Sequence, residues 1–179
     1  GTYLQGNQYV DILRKSFMNK QAKIWQSADR VIVISESIKE WLSALNPSIK
    51  PVVIPYGLNI HNLEINFTNK NIGFLGRLNK NKGIEDLVTV FNSITKEHSK
   101  ENSQLTLSIG GVGTDTYVKN LKKTAINKNI EFLGYVSDRN KFFKSISIFV
   151  FPSYSEGLGL VLLEAMSYGV LCIARDASP

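Results

Sequence analysis

Residues 130–174 read IEFLGYVSDRNKFFKSISIFVFPSYSEGLGLVLLEAMSYGVLCIA, and the fold is decided by how this stretch is read. Three short apolar runs (130–134, 146–151 and 170–174) are separated by two segments of helical character, Ser137–Lys144 and Leu158–Tyr168. The runs are apolar on nearly every position rather than on alternate ones, which is the pattern of strands covered on both faces. Strands joined through helices pair in parallel. The stretch therefore predicts an α/β fold with a doubly wound parallel sheet.

The same rhythm continues upstream, with strand IGFLG (72–76), a helix from Gly83 to about Glu97, strand LTLSIG (105–110) and a helix from Thr114 to Lys128. Before it, Val10, Ile12, Leu13, Phe17, Ile24 and Trp25 recur at helical spacing over 8–28, and VIVIS (31–35) reads as a buried strand. Ser37 and Glu40 have capping-box spacing ahead of Trp41, Leu42 and Leu45, so a second helix is expected, ended by Pro47. PVVIPYGLN (51–59) reads as a strand closed by a Pro-Tyr-Gly turn. Residues 58–70 read as a linker, and 71–179 as a domain of Rossmann-like type. The two strands and two helices of residues 1–57 are too few for a core of their own, and a sixth strand is expected after Pro179, so the fold is expected to be incomplete at both ends.

Composition narrows the function. At 43% hydrophobic and 20% charged, the 179 residues suit a globular protein with a sizeable core. The apolar runs fall short of the roughly 18–20 residues that cross a bilayer. Cys172 is the single cysteine and His61 and His98 the two histidines, which leaves no disulfide and no zinc-ligand spacing. A reducing, metal-independent, cytoplasmic setting is expected, with no cofactor. The net charge of +6 favours anionic partners without choosing among them. A nucleic-acid partner is not expected, because no stripe of basic and aromatic residues is present to track a backbone.

Ligands of open parallel sheets bind beyond the carboxyl ends of the strands, where strand order reverses, and four stretches fall there. GRLNKNKG (76–83) brings Arg77 and Lys82 to the start of a helix, a setting that suits a diphosphate. The other reading is a solvated polar loop. IGGVGTD (109–115) offers Gly110 and Gly111 for close backbone approach, or a plain turn, but has neither dinucleotide nor Walker spacing. EFLGYVSD (131–138) places Tyr135 where a nucleobase would be edged, with Ser137 or Asp138 as a helix cap. In the fourth, Glu156 and Glu164 sit eight apart in FPSYSEGLGLVLLEAMSYG (151–169). Ser153 with Glu156 has capping-box spacing, whereas Glu164 has no cation among its helical neighbours and needs a partner if it is buried. Eight helical residues span about 12 Å, so a sugar nucleotide is expected to touch Glu156, the amides of Gly157, Leu158 and Gly159, and Glu164 in turn.

With GRL…KG and FLGYVSD before it, the Glu-x7-Glu stretch resembles the carboxy-terminal, donor-binding domain of retaining GT-B glycosyltransferases of family 4 (glycosyl transferases group 1). ADRVIVISESIKEWL (28–42) and VIPYGLN (53–59) resemble the tail of that family's amino-terminal, acceptor-binding domain and the hinge. The resemblance implies a nucleoside diphosphate sugar donor and a glycan or lipid-linked acceptor, with transfer that retains anomeric configuration. It implies that Arg77 and Lys82 hold the diphosphate, that Glu156 contacts the sugar, and that Glu164 hydrogen-bonds the ribose. Gly157, Leu158 and Gly159 would present amides to sugar and phosphate. Leu158 stands where the family usually has Phe, and Tyr56 where it has Asn. Residues 1–57 are then a remnant of the acceptor domain, and the chain alone is expected to bind donor without glycosylating. Analogy and the positive charge add an expectation of peripheral contact with the inner face of a membrane. A sugar-nucleotide epimerase and a non-catalytic nucleotide- or partner-binding module are the alternatives.

Overall fold

The computed structural model describes residues 23–60, 70–97 and 104–176. Most of the helix expected over 8–28, linker residues 61–69, His61 and His98 lie outside them. The chain divides into two compact units, Gly1–Tyr56 and Gly57–Pro179.

In the first unit β1 (Ile32–Val33) pairs in parallel with β2 (Val52–Val53), and α1 (Glu36–Leu45) runs between them. Val33, Leu42 and Ile49 form its buried cluster. The N-cap of α1 is Ser35, whose Oγ accepts from the Ile38 amide at 3.3 Å, so the cap lies two residues before the Ser37 of the expected capping box. Ser35 is in extended conformation, which is what a cap requires.

The second unit holds a five-stranded, all-parallel sheet with β3 (Asn71–Leu75) at its centre. β4 (Thr106–Gly110) and β5 (Ile130–Gly134) lie on one side of β3, and β6 (Ile148–Phe151) and β7 (Leu171–Ala174) on the other, in the order β5-β4-β3-β6-β7. The crossovers are α2 (Ile84–Glu97), α3 (Asp115–Thr124), α4 (Arg139–Lys144) and α5 (Leu160–Ser167). Side chains alternate along β3 into two separate cores. Phe74 joins Ile84, Val88 and Phe91 of α2 and Leu121 of α3 on one face, while Leu75 joins Phe142 and Phe143 of α4 and Ala165 of α5 on the other. The central strands β3, β4 and β6 of the doubly wound sheet are thus covered on both faces. The edge strands β5 and β7, expected to be covered as well, leave Leu133, Leu171 and Ile173 exposed, because no further strand or helix packs over them among the described residues.

Asn71 fixes the amino end of the sheet. Its Oδ1 accepts from Thr106 Oγ1 (2.9 Å) and Ser108 Oγ (3.2 Å), and its Nδ2 donates to the Ser145 carbonyl (3.2 Å). At the carboxyl end the Gly76 amide donates to the Gly110 carbonyl (3.1 Å) and that of Gly111 to Gly134 (2.7 Å), lacing β3, β4 and β5 together. Burial pushes the Cys172 thiol on β7 above its ordinary pKa, so it stays protonated at neutral pH.

Between β3 and α2 the chain makes a single 3-10 turn, Lys80–Lys82, and then bends through Gly83 at φ +64°. A Cβ on Gly83 would lie 2.2 Å from the Pro152 carbonyl oxygen, so both backbone conformation and packing demand glycine. Gly83→Ala should lower the unfolding free energy by about 2 kcal/mol or more, measured by urea denaturation. A loss under about 0.5 kcal/mol, the range of an ordinary surface change, would show that the two loops do not meet this closely.

Candidate functional site

β3 and β6 are neighbours at the centre of the sheet, and the chain leaves their carboxyl ends toward opposite faces, β3 into α2 and β6 into α5. This is the reversal point at which an open sheet leaves a crevice. A cleft of about 450 Å³ occupies it, with Arg77, Asn79 and Lys82 on the β3 side and Phe151, Glu156 and Gly157 on the β6 side. Four residues named from sequence, Arg77, Lys82, Glu156 and Gly157, therefore line one cavity.

The two walls are joined residue by residue. The Asn81 carbonyl accepts from the Tyr154 amide (2.8 Å), Asn81 Nδ2 donates to the Ser155 carbonyl (3.0 Å), and Lys82 Nζ forms an ion pair with Glu156 Oε1. Both charged side chains are about four-fifths buried, with 21% and 22% of their surfaces exposed. The buried Phe151 ring lies 6.0 Å from the ammonium. A cation and a carboxylate are thus held together over an apolar floor, where electrostatic contacts to a ligand are worth more than in open water. Arg77 stands exposed at the rim.

The helix ends are used differently from the expectation. Lys82 does lead into a helix, but the first turn of α2 carries Glu85 and Asp86, which already answer its macrodipole. The amino end of α5 has no acidic residue in its first turn and no side-chain cap, and its Val161 lines the cleft. Of the two helix starts, that of α5 is the one whose macrodipole no acidic side chain of the first turn answers. α5 begins at Leu160, two residues later than expected, with Gly159 as N-cap. Glu156 and Glu164 are consequently not on one helix, and the 12 Å helical spacing between them does not apply. Ser153 caps nothing in α5: it is 1% exposed and its Oγ makes no hydrogen bond.

Glu164 requires a further correction. Its side chain is 21% exposed, and the partner its own helix lacks is supplied by Arg139, the first residue of α4, with Nη1 2.5 Å from Oε2. A cation 25 residues away in the chain has no signature among the helical neighbours of Glu164. Asp138 directly before it is the α4 N-cap, accepting from the Lys141 amide at 2.9 Å.

The remaining candidates lie outside the lining of the cleft. Gly111 admits protein backbone and Gly110 protein side chains: a Cβ on Gly111 would sit 1.7 Å from the Gly76 carbonyl oxygen, and one on Gly110 2.7 Å from Val136 Cγ2. Tyr135 is 79% exposed. Leu158 and Gly159 lead into α5, where the Gly159 carbonyl accepts from the amides of Leu162 (2.8 Å) and Leu163 (3.3 Å). Among the described residues there is no group of three or more His, Cys, Asp or Glu placed to hold a metal, and no helix long and apolar enough to cross a membrane. The sequence reading missed Asn81 and Arg139. Asn81 was hidden in a run of Asn and Lys that reads equally well as solvated loop.

The family model described as glycosyl transferases group 1 matches residues 59–179. The chain belongs to that family. It is 30% identical over 171 residues to the capsular polysaccharide biosynthesis glycosyltransferase CapM of Staphylococcus aureus, an alignment covering 84% of this chain and 44% of CapM. An uncharacterized glycosyltransferase of Haemophilus influenzae is 28% identical over 156 residues, covering 86% of this chain and 43% of that protein. The chain thus spans less than half the length of these relatives. Among solved structures, Anabaena Alr3699/HepE in complex with UDP-glucose matches with a TM-score of 0.78 at 19% identity, over 92% of this chain and 50% of that one. The glycosyl transferases group 1 domain therefore has the GT-B Rossmann-like fold.

The Lys82–Glu156 pair can be measured without a ligand. A double-mutant cycle of Lys82→Met and Glu156→Gln in urea unfolding should give a coupling of about 1 kcal/mol, and additive effects would show that the pair does not form in solution.

Proposed function

We propose that this chain carries the donor half of a retaining glycosyltransferase of family 4, which moves a sugar from a nucleoside diphosphate to a glycan or lipid-linked acceptor. The observation that carries the reading is the convergence of Arg77, Lys82, Glu156 and the uncapped start of α5 on one cleft. Arg77 offers a planar fork to the diphosphate at the rim, and Lys82 a point charge whose three N–H groups serve Glu156 and a phosphate oxygen together. Glu156 accepts from hydroxyls of the sugar.

As the bond from the anomeric carbon to the diphosphate breaks, the electron pair leaves with the phosphate. Arg77, Lys82 and the α5 amides stabilise the growing charge, so the leaving side needs no general acid. The acceptor hydroxyl oxygen attacks from the face the leaving group departs, and its proton passes to the departing diphosphate oxygen, leaving the glycoside and the nucleoside diphosphate. The ribose contact of Glu164 rests on family membership, with Arg139 holding Oε2 and the other oxygen turned to the hydroxyls. UDP is the preferred nucleotide of this reading, in keeping with the UDP-glucose bound by the Anabaena neighbour, and a cell-surface polysaccharide is the preferred product class, in keeping with CapM. The chain by itself binds donor and transfers nothing.

Calorimetric titration with UDP and GDP tests the assignment. Arg77→Ala should weaken binding by about 1.5–3 kcal/mol, roughly 10- to 150-fold, the range for a hydrogen bond to a charged group. Lys82→Ala should cost more, because Glu156 is then left uncompensated beside the phosphates. Unchanged affinity in both variants rejects the phosphate site. Glu156→Gln removes a negative charge from beside the diphosphate. It should therefore leave the affinity for UDP equal or higher while abolishing the added affinity for UDP-glucose, and an equal fall for both ligands would remove Glu156 from the sugar site.

A further inference from the structure

The loop that carries Glu156 has an attachment besides Asn81 and Lys82. Arg175, the first residue after β7, donates from Nε to the Pro152 carbonyl (3.0 Å) and pairs through Nη2 with Asp86 Oδ2 (2.5 Å). Its guanidinium lies over the Tyr154 ring, 4.2 Å from the centroid, and Tyr154 Oη donates to the same Asp86 oxygen at 2.7 Å. The Arg175 amide is itself bonded to the Phe151 carbonyl (3.1 Å), so the side chain starts from the fixed end of the sheet.

An exposed ion pair alone contributes little. Here one planar group uses an edge nitrogen on a backbone carbonyl, another nitrogen on a carboxylate and its face on a ring, and all three contacts are directional. They act on Pro152 and Tyr154, four and two positions before Glu156. Residues 152–159 belong to neither strand nor helix, so no ladder of regular hydrogen bonds places Glu156, and contacts from outside the loop must do so. Asp86 comes from the first turn of α2, so the clamp also ties the β6 loop to the element that follows Lys82.

We propose that Arg175, with Asp86 and Tyr154, is a positioning residue that holds the 152–156 loop so that Glu156 faces the donor sugar. The sugar half of this statement rests on the donor reading above, whereas the clamp on the loop does not.

Two readouts on the full chain separate them. In Arg175→Ala, hydrogen exchange at Tyr154–Gly157 should quicken about tenfold while β3 and β4 amides keep their wild-type rates. Calorimetry with UDP and UDP-glucose, and with GDP and GDP-mannose as a second pair, should show the nucleoside diphosphate binding as in wild type and the sugar nucleotide about 5- to 10-fold more weakly, the size of one lost hydrogen bond. Arg175→Lys keeps the charge opposite Asp86 but cannot reach the Pro152 carbonyl as well, and should behave like Arg175→Ala. Tyr154→Phe removes one hydroxyl, gives a smaller shift in the same direction, and serves if the arginine variants do not fold. Unchanged exchange at Tyr154–Gly157 overturns the clamp, and equal weakening of UDP and UDP-glucose overturns its link to the sugar. Absence of binding to all four ligands by the wild-type chain overturns the donor reading and its sugar half, and leaves the clamp to be decided by exchange.

Discussion

The site depends on one constraint: the segments leaving β3 and β6 must meet above the sheet, although they depart toward opposite faces. The Lys82–Glu156 pair marks where they meet. It forms because the 3-10 turn at Lys80–Lys82 is short, because Gly83 turns left-handed against the Pro152 carbonyl, and because Asn81 grips the two residues before Glu156. The parallel register of β3 with β6, Ile72 opposite Ile148 and Gly73 opposite Phe149, brings both chain exits to the same height. Register and turn length are thus prior to chemistry in this molecule.

The fold was legible because burial on both faces leaves a blunt signal. LTLSIG and ISIFVF fall on the mostly buried strands β4 and β6, and IEFLG, though apolar, forms the exposed edge strand β5. Element ends were less legible. Ser35 and Ser37 are equally good caps in composition, and the choice falls to whichever residue the strand exit leaves extended. α5 starts late because Glu156 is held by Lys82 and the chain turns left-handed at Gly159 before the helical ladder begins.

The site was legible where its residues are adjacent to strand ends, which is why Arg77, Lys82, Glu156 and Gly157 were found together. It was illegible where the partner is tertiary. Arg139 meets Glu164 from 25 residues away and Arg175 meets Asp86 from 89, and neither distance has a sequence period. A missing Cβ announces close approach but does not say what approaches: at Gly111 it is the Gly76 carbonyl, and at Gly110 the side chains of Val136 and Leu75.

The distribution of acids distinguishes the two helix starts that flank the cleft. Glu85 and Asp86 fill the first turn of α2, and Asp86 is further engaged by Arg175 and Tyr154, so this helix end has no unmet demand for an anion. The first turn of α5 carries none. A diphosphate lying between Arg77, Lys82 and α5 is therefore met by positive potential from three directions, and the carboxylate within its reach, Glu156, is already shared with Lys82. That sharing allows a negative side chain to stand beside a dianion: the ammonium compensates both, and the carboxylate keeps an oxygen for hydroxyl groups. A cleft built only of cations would hold phosphate as well as it held a phosphosugar, and on the donor reading proposed above the carboxylate paired with Lys82 is the group that would favour the sugar.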